Sequence, residues 1–306
     1  MSFLSILFAL LLEQARPLGQ GNPVHQGVRS WVRWVLRNLD AGKPQHGWLA
    51  WWVAVVLPAA LAFAVHWLLV WYAGWIVAVV WSIVILYSTL GFRQFSHHFT
   101  DIRDALLAGD EDLARKKLAQ WMHIDASALP RSEIVGHVIE HSVLNAHHHV
   151  FGVFAWYSLL AAFGLGPAGA VLYRMGEFFA SYTNRPSRAS SVPVSSSVQT
   201  AAREAWYAMD WLPARITALG FAFVGSFEEA VDSWRQQEAH FPGDNDGVVL
   251  AATAGAVNVK LGPVDQPGPG LTPQTVHLRA VVGLVWRTVV MWMVFLALLT
   301  LARLLG

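Results

Sequence analysis

The chain has 306 residues, of which 55% are hydrophobic and only 13% charged, with a formal net charge of +1. Soluble domains carry about a quarter of their residues as charges, so this composition and a mean hydropathy of +0.41 exclude an ordinary soluble globule and point to an integral membrane protein. No cysteine is present, which removes disulfides, thiolate metal sites and cysteine nucleophiles, and the near-zero net charge gives no reason to expect a nucleic-acid partner.

Ser2 to Leu12 is a short apolar run ending in Glu13-Gln14-Ala15-Arg16 with no small-residue cleavage site, and it reads as an N-terminal membrane helix rather than a removed signal. Arg16, Arg29, Arg33, Arg37 and Lys43 follow, with Trp31, Val32, Trp34 and Val35 among them; this predicts an amphipathic helix along a membrane surface. Trp48 to Val70 and Gly74 to Leu90 are each long enough to span, and the three residues between them make a helical hairpin. Its outer flanks are both basic, which by the charge rule places both in the cytoplasm. The sixteen tryptophans suit interfacial belts.

Phe92 to Asn145 reads as soluble helices, with Ala108-Gly109-Asp110 as a turn and Asp110 as an N-cap. Val150 to Phe163 is apolar but only 14 residues long, about 21 Å of helix against roughly 30 Å of hydrocarbon. With the break at Gly164 to Gly169, it is either one kinked crossing of about 23 residues or a re-entrant pair of short helices. Basic residues on both sides favour the re-entrant form. Ser187 to Ser197 reads as a flexible loop, Trp206 to Phe227 as a helix holding Pro213, and Val248 to Leu261 as a small-residue helix suited to close packing. Pro263 to Pro273 is a linker. Ala280 to Leu301 is a terminal span containing Arg287, which needs a partner or a cavity if it faces inward.

The expected class is therefore all-α, a polytopic helical membrane protein with cytoplasmic helical segments and a re-entrant or kinked helix near 150–172. Its segments are 1–91 (N-terminal helix, interfacial segment and hairpin), 92–149 (soluble helices), 150–182 (broken apolar pair), 183–279 (mostly aqueous) and 280–306 (terminal span).

Three histidine sets could carry chemistry. His137, Glu140 and His141 have the H-x-x-E-H spacing of inverted zinc peptidases, yet no third ligand is identifiable, and an ordinary polar helix face is the plainer reading. His147, His148 and His149 point about 100° apart on a helix and cannot all hold one ion. His97, His98 and Asp101 form a looser cluster. Phosphate loops of the Walker type and G-x-S-x-G nucleophiles are absent.

Several segments resemble the CobD/CbiB superfamily of bacterial membrane proteins, which includes the AmpE proteins. Ala108-Gly109-Asp110 with Ala114-Arg115 matches its A-G-D-x-x-x-A-R segment, and Glu133 through Glu140 and Asn145 follow the helix that leads to its E-N-x-x-D-G motif. Gly166-Pro167-Ala168-Gly169-Ala170 with Tyr173-Arg174 matches G-P-x-G-A-x-x-Y-R, Pro213 to Ala218 matches P-A-R-L-T-A, and Gly255-Ala256 through Gly262 is similar to a late glycine-alanine stretch. The resemblance implies a multi-pass bacterial inner-membrane protein and adenosylcobinamide-phosphate synthase activity, an ATP-dependent amide ligation requiring magnesium and acids to hold phosphate oxygens.

The chain departs from the family at those acids. Leu144, His148 and His149 replace Glu, Asp and Gly of E-N-x-x-D-G. In N-T-x-D-S-M, Glu177 and Ala180 replace Asn and Asp while Ser181 is kept. Trp206 and Tyr207 stand where the family has paired acids, Asp210 stands at an Asn, and Ile124-Asp125 at an R-D. AmpE-like proteins share this loss and a D-W-x-P-x-R segment, here Asp210 to Arg215. The expectation is a divergent member, either acting in cobalamin assembly or serving as a non-enzymatic membrane modulator of envelope or β-lactamase signalling. Candidate ligand contacts are Glu140, Asn145, His148, Tyr173, Arg174, Glu177, Asp210 and Arg215, with the two arginines as anion forks. The partners implied are the lipid bilayer, a corrinoid ligand and membrane proteins, and the cofactors, if activity is retained, ATP and magnesium.

Overall fold

A computed structural model describes residues 2–16, 19, 22–184, 193–237, 245–262 and 270–305, without the side chains of 2, 92–95 and 303–304. The order is α1 (Ser2–Ala15), α2 (Pro23–Leu39), α3 (Pro44–Trp51), a π-helical turn (Trp52–Val56), α4 (Leu57–Tyr72), α5 (Trp75–Thr89), α6 (Phe92–Leu107), α7 (Glu111–Met122) and α8 (Arg131–Ala146). A second π-helical turn (His147–Phe151) leads into α9 (Gly152–Ala162), followed by α10 (Ala168–Thr183), α11 (Ser196–Val224), α12 (Phe227–Gln237), α13 (Asn245–Val257) and α14 (Thr275–Leu305). The described residues form no strand beyond an isolated bridge between Val259 and Leu271, so the chain is all-α.

Local chemistry explains most boundaries. Asn22 caps α2 by accepting from the His25 N–H at 2.8 Å, with Pro23 in the first turn. Asp110 caps α7 through the Leu113 N–H at 2.9 Å, as expected, and that helix ends at His123 in the left-handed region. Gly74, at φ 87°, makes the turn between α4 and α5. The small-residue helix stops at Val257, short of the predicted Leu261, because Asn258 takes φ 52° and the chain continues extended to pair Lys260 with Leu271. The Ser-rich loop at 187–192 and the linker at 263–269 lie outside the described residues.

Among the described residues two helices, Pro44–Tyr72 and Thr275–Ala302, are long and apolar enough to cross a membrane. A soluble core helix would be mostly buried, whereas 22% of the most apolar 18-residue stretch of the first and 39% of that of the second is buried by protein; their apolar surface is the kind a bilayer covers. Arg287 on the second is exposed and turns its Nε to the Gly283 carbonyl at 3.2 Å, so it does not face the protein interior.

The chain divides into two compact units, each discontinuous in sequence: residues 1–91 with 148–213, and 92–147 with 214–306. In the first unit α1 packs on α5, α4 on α5 and α10, and α9 on α10. The break at 163–167 is therefore a turn between two antiparallel helices, not a kink in one crossing. Gly169 is required there: a Cβ would stand 2.1 Å from the Trp156 carbonyl oxygen. The core joins Val32, Val35 and Leu36 of α2 to Ala54, Val55, Phe179 and Ala202.

Two prolines inside helices are handled the same way. Pro58 has no N–H for the Ala54 carbonyl one turn earlier, and the Trp31 indole N–H donates to it at 3.3 Å. Pro213 leaves the Met209 carbonyl without its helical donor, and the Trp156 indole supplies one at 3.0 Å. Trp156→Phe should therefore lower stability by about 1–3 kcal/mol, the usual cost of a half-buried carbonyl left without a donor. Adding Pro213→Ala restores an N–H, so thermal unfolding in detergent should show the double variant regaining part of that loss.

In the second unit α8 is the hub, touching α6, α7, α13 and α14, and its Ile134, Val135, Val138 and Ile139 are buried. Helices α12 and α13 pack most closely, because Gly255 lets the backbones approach.

Candidate functional site

In the first unit, α10 and α11 bring two of the sequence candidates into direct contact. Tyr173 and Asp210 are both fully buried, and the phenol donates to Asp210 Oδ1 at 2.7 Å. Burying a carboxylate is costly unless it is hydrogen-bonded, so the phenol is part of what keeps Asp210 there. Gly152 makes the arrangement possible: the Tyr173 ring fills the space where a Cβ would sit. His148 lies in the π-helical turn ahead of α9, where one extra residue widens the helix, and offers a ring nitrogen within 4.8 Å of an Asp210 oxygen. Trp206, one turn before Asp210, contacts both His148 (ring centroids 5.5 Å apart) and Tyr173 (5.1 Å).

Arg174 and Glu177 form an ion pair at 2.8 Å, mostly shielded from solvent. His25 on α2 joins them. Burial first, then the charges of Arg174 and Arg29, push its pKa below the usual imidazole value. The cluster is therefore a guanidinium and a carboxylate beside a neutral imidazole, and Arg174 is not an unengaged anion fork.

The second unit holds the remaining candidates. Glu140 Oε1 accepts from the Gly262 N–H at 2.7 Å, and its other oxygen is 3.5 Å from His137 Nδ1. Asn145 donates to the His141 carbonyl at 2.6 Å, and Arg215 to Asn245 at 3.2 Å. His141 packs edge-on against Trp121, so the three residues of the zinc-like spacing are not drawn to one point among the described residues. His147 hydrogen-bonds Thr217 at 3.0 Å. A cavity of about 190 Å³ is lined by Glu133, His137, Glu140, Lys260, Gly262 and Thr272.

The bond to Glu140 raises the His137 pKa above its usual 6.5, against the opposing effect of burial. Because the folded pKa is the higher one, the pair's stabilisation is complete below pH 6.5 and is lost as pH rises through the raised value. The melting temperature of the wild type should thus fall more than that of His137→Gln between pH 6 and 8.5, a difference that paired melting curves will read.

Sequence reasoning missed three participants. Trp206 could have been found, since it lies four residues before Asp210 and shares its helix face. His25 and the Lys260–Gly262 wall could not, because Arg174 and Glu140, the groups they respectively meet, lie more than a hundred residues away in sequence.

A family model described as CobD/Cbib protein matches residues 6–266. The cobalamin biosynthesis protein CobD of Stutzerimonas stutzeri is 29% identical over 96% of this chain and 96% of its own length. That of Chromobacterium violaceum is 29% identical over 59% of this chain and 54% of its own, and that of Leptospira interrogans 30% over 62% and 59%. No solved structure matches. The segments that meet at Tyr173 and Asp210 lie within the matched region, and the chain belongs to the CobD/CbiB family.

Proposed function

We propose that this chain is a multi-pass protein of the bacterial inner membrane acting in cobalamin biosynthesis, with a corrinoid-binding site built around Tyr173, Asp210, His148 and Trp206. The observation that carries the reading is the buried Tyr173–Asp210 hydrogen bond, in which the G-P-x-G-A-x-x-Y-R segment and the D-W-x-P-x-R segment converge. It is supported by a relative named for cobalamin biosynthesis that matches along almost the full length.

Loss of the family's acids is then partly an exchange. Where the family motif has Asp, this chain has His148; where it has Asn, this chain has Asp210, within 4.8 Å of that histidine. A carboxylate is thereby supplied from another helix, beside an imidazole able to take or give a proton. The donor set does not fit the magnesium nucleotide of the family reaction. Magnesium takes several carboxylate, phosphate and water oxygens, whereas this group offers one carboxylate that already accepts from Tyr173, one imidazole and one indole. Binding a corrinoid, with Trp206 as an apolar platform, is the activity the residues suit.

Purified protein titrated with adenosylcobyric acid should shift the corrinoid absorbance, and Trp206→Ala should weaken the shift at least about tenfold, as loss of an aromatic anchor does. Absence of any shift rejects the reading. The AmpE-like alternative, a non-enzymatic modulator, is favoured by one observation: Trp206 and Tyr207 where paired acids are expected. A deletion strain that becomes cobalamin-requiring while β-lactamase induction is unchanged eliminates it.

A further inference from the structure

The apolar helices of the first unit carry positive charge at one end. Exposed tryptophans stand at two levels of Pro44–Tyr72, Trp48 and Trp52 at one and Trp67 and Trp71 at the other. Trp52 and Trp71 are 19 residues apart, about 28 Å of helix, which matches the roughly 30 Å hydrocarbon layer between two headgroup levels. Lys43 and Pro44–Trp51 then lie at or beyond the headgroups. So does α2, because its Trp31 bonds the carbonyl of Ala54, two residues from Trp52.

On α2, Arg29, Arg33 and Arg37 recur every fourth residue and form one stripe that flanks the buried face of Val32, Val35 and Leu36. Arg29, Arg37 and Lys43 are exposed and Arg33 half-buried. Arg16 comes to the same end, since its carbonyl accepts from Tyr87 near the end of α5. The nearby Asp40 is occupied by the backbone N–H groups of Gly42 and Ser195. No ion pair among the described residues engages Arg29, Arg33, Arg37 or Lys43.

We propose that Arg29, Arg33, Arg37 and Lys43 form a docking surface for the headgroups of anionic phospholipids. The phosphodiester suits guanidinium forks, and the exposed Trp34, stacked on Trp31 at 5.3 Å, places an indole at the same level. The proposal rests on the membrane reading above.

The test offers full-length protein in mild detergent an equimolar pool of phosphatidylglycerol and phosphatidylcholine, and measures retained lipid by mass spectrometry. A basic side chain near a lipid surface contributes up to roughly fivefold, so phosphatidylglycerol should exceed phosphatidylcholine by about tenfold or more. High salt should reduce that ratio. The ratio should approach unity in Arg29→Gln/Arg33→Gln/Arg37→Gln/Lys43→Gln, fall by an intermediate amount in Arg29→Gln/Arg37→Gln, and persist when the arginines become lysines. Equal retention by the wild type overturns the proposal, as does an advantage undiminished in a well-folded glutamine variant. Equally effective competition by water-soluble glycerophosphoglycerol also overturns it. Failure of the membrane reading would look different: the protein would stay in solution without detergent.

Discussion

Gly152→Ala is expected to be among the most damaging single substitutions in the first unit, although it adds one methyl. The new Cβ would overlap the Tyr173 ring, and a buried ring flanked by Trp206 has no empty space to enter. Either α9 moves away or the phenol leaves Asp210, which then stays buried without that donor. Overpacking and the lost hydrogen bond together should cost about 3 kcal/mol. Tyr173→Phe separates the two effects, keeping the ring and removing only the bond. The internal control is Gly27→Ala, on an open face of α2 with no atom near the added carbon, where the change should be neutral or slightly stabilising. Thermal unfolding of the three variants reads the order; Gly152→Ala as harmless as Gly27→Ala would mean that Tyr173 does not occupy this position.

Gly255→Ala should have a comparable effect in the second unit by another route. Its Cβ would meet the Glu229 carbonyl oxygen at 2.1 Å, and a backbone atom cannot rotate aside. Helices α12 and α13 would have to separate, at a cost of at least about 2 kcal/mol. Gly283→Ala on α14 meets nothing and should gain rather than lose, since alanine is the better helix former. Limited proteolysis between α12 and α13, accelerated in Gly255→Ala alone, would place the damage at this contact.

The legible part of the fold was whatever depends on neighbours in sequence. The hairpin at Gly74, the cap at Asp110 and the terminal span follow from apolar run length and local punctuation; the break at 164–169 was legible too, but the packing of α9 on α10 decided that it is a turn and not a kink. The membrane class follows from composition alone. The candidate residues were legible for a different reason: they lie in recognisable segments. Their grouping was not. Tyr173 and Asp210 meet across 37 residues, Glu140 and Gly262 across 122, and neither separation leaves a periodic trace.

By itself the sequence determined an all-helical membrane chain and its family segments, because hydropathy, turn chemistry and motif identity are written in adjacent residues. Only the tertiary structure decided that a tryptophan serves both Pro58 and Pro213, that Arg287 faces outward, and that the Asp210 carboxylate stands beside His148. Those facts depend on which helix faces are pressed together. Long-range packing chooses among many faces of similar hydrophobicity, through close approaches that a single glycine, such as Gly152 or Gly255, permits or forbids.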